Sequence, residues 1–306
     1  MSNQGGPRRV AVLPESTGAW LDGVHEGTGT VRASVDVAEG LLWSSGSAAG
    51  LREVLSGSPS LRWVHLPVAG IDGFTEVLDT DRQWTCAKGA NAEPVAEHAL
   101  ALILALYRRL PDFARGGSWQ ARAGRSLRGA RVVVLGAGAV ARALVDLLRP
   151  FHPHCVVLSL SPRALEGATW SHVGDLETEL TRADVLVLAA AATSANERII
   201  DAKRLDLLPR EAVLVNVGRG TLLDHDALRR ALLAGSIAGA ALDVTDPEPL
   251  PDDDPLFAHP GCVVTCHSAT VGESGAELLR DRARANLVRF VQQRPLLGVI
   301  DPRRGY

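Results

Sequence analysis

Arg131-Val132-Val133-Val134-Leu135-Gly136-Ala137-Gly138-Ala139-Val140-Ala141 is the stretch on which the fold turns. Its first half is a short apolar run rich in β-branched residues and ended by glycine, which predicts a buried strand. Its second half reads G-x-G-x-x-A and runs into the helical pattern Arg142 to Leu148. In a strand–turn–helix unit this spacing suits a dinucleotide. Gly136 permits the tight turn, Gly138 lets a pyrophosphate approach the backbone, and Ala141 keeps helix and strand close. The N–H groups opening the helix, at Ala139 and Val140, and the positive end of its dipole then face the phosphates.

Downstream, further apolar runs repeat at intervals that leave room for helices. They are Cys155 to Leu158, Asp184 to Leu188, Ala212 to Asn216, Ala238 to Leu242 and Cys262 to Thr265. Together with Arg131 to Leu135 they predict one doubly wound parallel sheet. Upstream, Arg9 to Leu13, Gly40 to Trp43 and Leu61 to Leu66 predict a second α/β body. Between the two lies the strongest helix pattern, Glu93 to Leu110, with Pro94 in its first turn and apolar residues nearly all round. Arg115 to Arg128 reads as a linker, and Glu277 to Gln293 as a last long helix.

Composition narrows the classes. The chain has 306 residues, enough for two domains at about 150 residues each. A net charge of −3 gives no electrostatic case for nucleic acid or for an anionic membrane surface. No apolar run approaches the ~18 residues of a membrane span. The opening MSNQGGPRRVAVLPES has no apolar core of a secretory signal, so a cytoplasmic protein is expected. The 4 cysteines are irregularly spaced and do not outline a disulfide framework. Cys262 and Cys266 beside His267 have no second ligand pair after them, so no metal site is expected. Among the 32 basic residues only Lys88 and Lys203 are lysine, which is read as compositional bias.

The second strand of the dinucleotide unit ends Leu158-Ser159-Leu160-Ser161-Pro162-Arg163, with no acid to bond the ribose hydroxyls. Ser159, Ser161 and Arg163 are candidates to hold a 2′-phosphate, which favours NADP(H) over NAD(H). The plainer alternative is a permissive site with a solvated arginine. Three polar clusters follow later strands: Asn216 to Gly220, Asp243 to Pro251, and Thr265 to Thr270. In a parallel sheet these loops share the carboxyl edge, where ligands bind.

With these blocks in order, the sequence resembles the D-isomer-specific 2-hydroxyacid dehydrogenases, which include glyoxylate/hydroxypyruvate reductases. The resemblance rests on the GAGAVA turn, VNVGRG, ALDVTDPEPLP, the His267 loop and Asn91 to His98. Glu248 lies 29 residues after Arg219, and His267 lies 19 after Glu248, spacings that fit the family. It implies an α/β fold of two doubly wound parallel-sheet domains, with a Rossmann cofactor domain (93–282) inserted in a smaller flavodoxin-like substrate domain (1–92 and 283–306). It implies hydride transfer between NAD(P)H and a small 2-oxo acid, in a cleft between the domains. Arg219 would hold the substrate's carboxylate and keto oxygen. His267 would be the general acid, and Glu248 would orient it and favour the imidazolium. Val68, Ala69 and Gly70 match the family's carboxylate-binding segment. Asp243 matches its nicotinamide contact, and Thr193, Val217 and Gly218 its cofactor lining. Trp119 matches an aromatic that some reductases place near a neighbouring subunit's site, and a homodimer is expected.

Departures are Cys266 before the histidine, where many members have Pro, and Ala189 to Ala192, where many have Leu-Pro. Rival expectations are a nucleotide-sensing, corepressor-like binding protein and a phosphite-type dehydrogenase. Formate dehydrogenases are disfavoured, since they carry Gln where Glu248 stands.

Overall fold

Side chains along the central strands alternate between two apolar clusters, as parallel sheets covered on both faces require. The computed structural model describes residues 6–114, 124–270 and 273–303. The chain divides into two units, Met1–Asn91 with Val271–Tyr306, and Ala92–Thr270.

The first unit holds strands β1 (Arg8–Leu13), β2 (Thr30–Arg32), β3 (Gly40–Trp43), β4 (Trp63–Leu66) and β5 (Gln83–Cys86). They form a parallel 5-stranded sheet in the order β2-β1-β3-β4-β5, the flavodoxin-like arrangement. Ala11, Leu41, Trp43, Val64 and Leu66 enter one cluster, and Val10, Val12, Leu42 and Trp63 enter the other. Helix Glu273–Val291 supplies Ala283 and Leu287 to the second cluster, and Phe290 stacks on Trp63 at 4.9 Å between ring centroids. The division after Thr270 puts this helix with the first unit, where the sequence expectation cuts it after 282. The edge of β5 is paired by the C-terminal segment, with Cys86 N–H donating to Gly298 O (2.8 Å) and Ile300 N–H to Trp84 O (3.0 Å).

The second unit holds β6 (Arg131–Leu135), β7 (His154–Ser159), β8 (Ala168–His172), β9 (Val185–Leu188), β10 (Val213–Asn216), β11 (Gly239–Leu242) and β12 (Cys262–Val264). Its parallel sheet has 7 strands in the order β12-β11-β10-β9-β6-β7-β8. Strand order reverses between β6 and β9, so the switch point of a doubly wound sheet lies at Leu135 and Leu188. Val133, Leu186 and Leu214 point to one cluster; Val132, Val134, Val185 and Val215 point to the other. Helices Ala92–Tyr107 and Ala139–Leu148 pack on the latter face through Ala96, Ala99, Ile103, Ala141 and Leu144. The first ends short of the expected Leu110. Arg109 takes φ 55 and breaks it before the short helix Leu110–Ala114.

Three strands were not foreseen: β2, β5 and β8. All lie at sheet edges. β2 and β8 bury little, β8 (ATWSH) having no fully buried residue, so they lack an apolar run. β5 (QWTC) is buried at three positions, but Gln83 and Thr85 interrupt its apolar pattern. Among the described residues, no helix is long and apolar enough to cross a membrane.

Candidate active site

The turn after β6 is shaped by lack of room. Gly136 takes φ +112, and a Cβ there would stand 2.7 Å from Ala189 O. Its N–H donates to Leu158 O at 2.9 Å, and Ala189 N–H donates to Leu135 O at 2.9 Å, so three strand ends meet at this glycine. Gly138 caps helix Ala139–Leu148 without any side-chain bond, and the space where its Cβ would lie is empty. A helix N-terminus opening onto vacant space beside a crowded glycine fits a pyrophosphate. Ala139 and Val140, the first residues of that helix, are not fully buried.

After β7, Trp170 Nε1–H donates to Ser159 Oγ (2.9 Å), and Ser159 Oγ–H donates to Ser161 O (2.7 Å). A serine has one hydroxyl proton. The Ser159 hydroxyl therefore folds the turn, while Ser161 and Arg163 stay exposed.

After β9, Thr193 N–H donates to Asn196 Oδ1 (2.7 Å) and Asn196 Nδ2 donates to Ala191 O (2.8 Å). Asn196 thus closes the alanine-rich loop. After β10, the buried side chain of Asn216 accepts from Gly218 N–H (3.1 Å) and donates to Arg219 O (2.9 Å). A Cβ on Gly218 would lie 2.9 Å from Ala190 O, and one on Gly220 would lie 1.9 Å from Thr245 O. Glycine at both places brings the Val217–Arg219 segment against the loops after β9 and β11. Arg219 is half-buried, and its Nη1 donates to Gly218 O at 2.7 Å.

The loop after β11 carries Glu248, and Thr245 Oγ1–H donates to Pro247 O (2.8 Å) to hold its bend. Glu248 Oε1 and His267 Nδ1 are 2.6 Å apart, and both side chains are accessible, His267 at 53% and Glu248 at 43%. A carboxylate only accepts, so Nδ1 carries a proton and Nε2 points away from the pair.

Asp243 was expected as a cofactor contact. Its carboxylate is buried and turned into the His267 loop. Oδ1 accepts from Thr265 Oγ1–H (2.6 Å) and Ser268 N–H (2.8 Å), while its backbone O accepts His267 N–H (2.8 Å). His98 Nε2 lies 3.3 Å from the same Oδ1. The sequence points to Asn216 and Thr265 only as members of the polar clusters that follow strands, and to His98 only within Asn91 to His98; for Asn196 it gives no signal.

Val68, Ala69 and Gly70 follow β4 in the first unit, where Ala87 N–H donates to Val68 O (2.8 Å). Trp119 lies outside the described residues. Among the described residues, no group of three metal-ligating side chains gathers.

Residues 100–269 match the sequence profile of the D-isomer specific 2-hydroxyacid dehydrogenase NAD binding domain. A glyoxylate reductase of Aeropyrum pernix is 32% identical over 255 residues, covering 78% of this chain and 76% of that protein. An uncharacterized protein of Corynebacterium melassecola is 35% identical over 256 residues, 81% of this chain and 84% of that one. The crystal structure of a D-isomer specific 2-hydroxyacid dehydrogenase from Xanthobacter autotrophicus Py2, in complex with NADPH and MES, superposes with a TM-score of 0.84. It is 27% identical and covers 98% of this chain and 100% of that one.

Proposed function

The chain belongs to the D-isomer specific 2-hydroxyacid dehydrogenase family, an NAD(P)-dependent oxidoreductase, and we propose that it reduces a small 2-oxo acid of the glyoxylate or hydroxypyruvate type to its D-2-hydroxy acid. The observation that carries this is the His267–Glu248 pair at 2.6 Å, on the same sheet edge as Arg219 and the Gly136 turn.

A nicotinamide cofactor would supply the hydride. The Gly136-Ala137-Gly138 turn and the helix start at Ala139 and Val140 would hold its pyrophosphate, and Thr193, Val217 and Gly218 would line its site. Arg219 presents a planar fork that matches a carboxylate and the adjacent keto oxygen better than an ammonium does. Glu248 accepts the Nδ1–H of His267, which fixes the ring and leaves Nε2 turned away from the pair. The Nε2 proton then passes to the carbonyl oxygen as that oxygen gains negative charge; in oxidation Nε2 takes it back. The backbone of Val68, Ala69 and Gly70 contributes to carboxylate binding. The paired imidazole and carboxylate favour turnover over a purely nucleotide-sensing role.

The enzyme prefers NADPH. Support comes from the absence of an acid at the end of β7 and from exposed Ser161 and Arg163 beside it. Ser159 supports the turn and is not a phosphate donor itself.

The test is spectrophotometric: purified protein, NADPH or NADH, and a panel of 2-oxo acids. Turnover of glyoxylate or hydroxypyruvate is expected, with kcat/KM for NADPH higher by about tenfold or ~1.4 kcal/mol. Oxidation of neither cofactor by any acid overturns the proposal, and a preference for NADH overturns its cofactor part.

A further inference from the structure

His267 takes φ +50, in the left-handed region that few non-glycine residues occupy, and its neighbours hold it there. The residues that hold it can be followed inward. His267 N–H reaches Asp243 O (2.8 Å), and the next N–H, of Ser268, reaches Asp243 Oδ1 (2.8 Å). Ala269 N–H lies 3.4 Å from Oδ2. One buried carboxylate thus collects the loop, and its own orientation becomes the question.

Thr265 and His98 answer it. An ionised Asp243 can only accept, so Thr265 must spend its one hydroxyl proton on Oδ1 at 2.6 Å. Thr265 Oγ1 then has only lone pairs to offer His98 Nε2 at 3.0 Å, so Nε2 carries the proton. That N–H donates to Thr265 Oγ1, and Nε2 also lies 3.3 Å from Asp243 Oδ1. His98 stands on helix Ala92–Tyr107 between Ala96 and Ala99, both fully buried against the sheet. Its imidazole is therefore carried by a rigid element, while the His267 loop is not.

We propose that His98 is a positioning residue for the reaction: its Nε2–H, with Thr265, fixes the Asp243 carboxylate, which holds His267 in its strained, productive conformation. This rests on His267 being the proton donor. His98 touches neither substrate nor cofactor in this role.

Variants His98→Leu, His98→Gln, Thr265→Val and His267→Asn test it, each checked by thermal melting and by NADPH binding. The glutamine amide can place an N–H where Nε2 stands; leucine cannot. His98→Leu is expected to lower kcat roughly tenfold to a hundredfold, the range of a small misplacement of a reacting group, with the Kd for NADPH within about twofold. His98→Gln should recover most of that loss. Thr265→Val should resemble His98→Leu, and the double variant should be no worse than either, because both act through Asp243. The proposal falls if His98→Leu and Thr265→Val keep wild-type kcat, or if His98→Gln is as impaired as His98→Leu. Should His98→Leu fail to fold, the Thr265→Val result decides by the same criterion. If His267→Asn retains wild-type turnover, the proton-donor assignment itself is wrong. If His267→Asn is inactive while the other variants are normal, only the positioning role is lost.

Discussion

Gly136 and His267 stand at the carboxyl edge of one sheet, and both have positive φ, +112 and +50. They reach it by opposite means. At Gly136 the conformation exists because nothing is attached: a Cβ would strike Ala189 O. At His267 it exists because a full side chain is attached and held, by Glu248 at the ring and by Asp243 at the backbone. One turn is specified by subtraction and the other by recruitment of distant residues. The first is rigid whatever its surroundings carry; the second is only as good as its partners.

The largest effect should come from emptying the recruited turn. His267→Asn keeps an amide where the ring was but removes the transferable proton, so kcat should fall about 10²–10⁴-fold with NADPH affinity preserved. Steady-state kinetics and a binding titration check both halves; unchanged kcat breaks the assignment. Next is the subtracted turn. Gly136→Ala adds one methyl against a carbonyl 2.7 Å away at a strained φ. A cost of ~2 kcal/mol is expected, roughly thirtyfold in the Kd for NADPH or an equivalent loss of stability. Calorimetric titration that finds wild-type affinity and melting would remove the contrast drawn above.

Acid should separate damage to the His267 loop from damage to the fold. His65 is buried in β4, its Nδ1 sharing Thr85 Oγ1 with Trp63 and its Nε2 without a partner among the described residues. Burial, with Arg282 nearby, lowers its pKa from 6.5 to about 3. The unfolded chain takes up the proton below about 6.5 while the folded chain does not until about 3, so stability is lost as pH falls through that window. One unit below the unfolded value the loss is about 1.4 kcal/mol from this group. Urea denaturation from pH 7 to 5 checks it, and His65→Asn should flatten the slope. A slope unaffected by that change would exclude His65 as its source.

The smallest effect concerns the exposed turn after β7. Arg163→Ala should lower kcat/KM for NADPH about fivefold, ~1 kcal/mol as for an exposed ion pair, and leave NADH unaffected. Equal losses with both cofactors would show that Arg163 does not read the 2′-phosphate.

The same contrast explains what the sequence revealed. Central strands announce themselves, because burial on both faces demands the unbroken apolar runs of β6, β9 and β10. Gly136 and Gly138 are equally plain, since a missing side chain is visible at its own position. Arg219, Glu248 and His267 were recognisable through their surrounding blocks and order. The support of the second turn was not. His98 lies 167 residues from Thr265, and no local pattern joins them. Asp243 was visible as a polar residue at a strand end, yet which way its carboxylate turns is decided by Thr265 and His98. Ser159 shows the same limit: as a residue type it suits a phosphate, but Trp170, on an edge strand with no apolar run, claims its hydroxyl.

The pairing of β5 with Gly298 and Ile300 bears on how the molecule is made. Residues Ala92–Thr270 are contiguous, so their sheet draws on one uninterrupted stretch of chain. The first unit does not: Ala283, Leu287 and the strap along β5 lie beyond that whole stretch. Covering β5 and the Val10 face therefore closes the longest loop in the molecule, an entropic cost that the second unit does not carry.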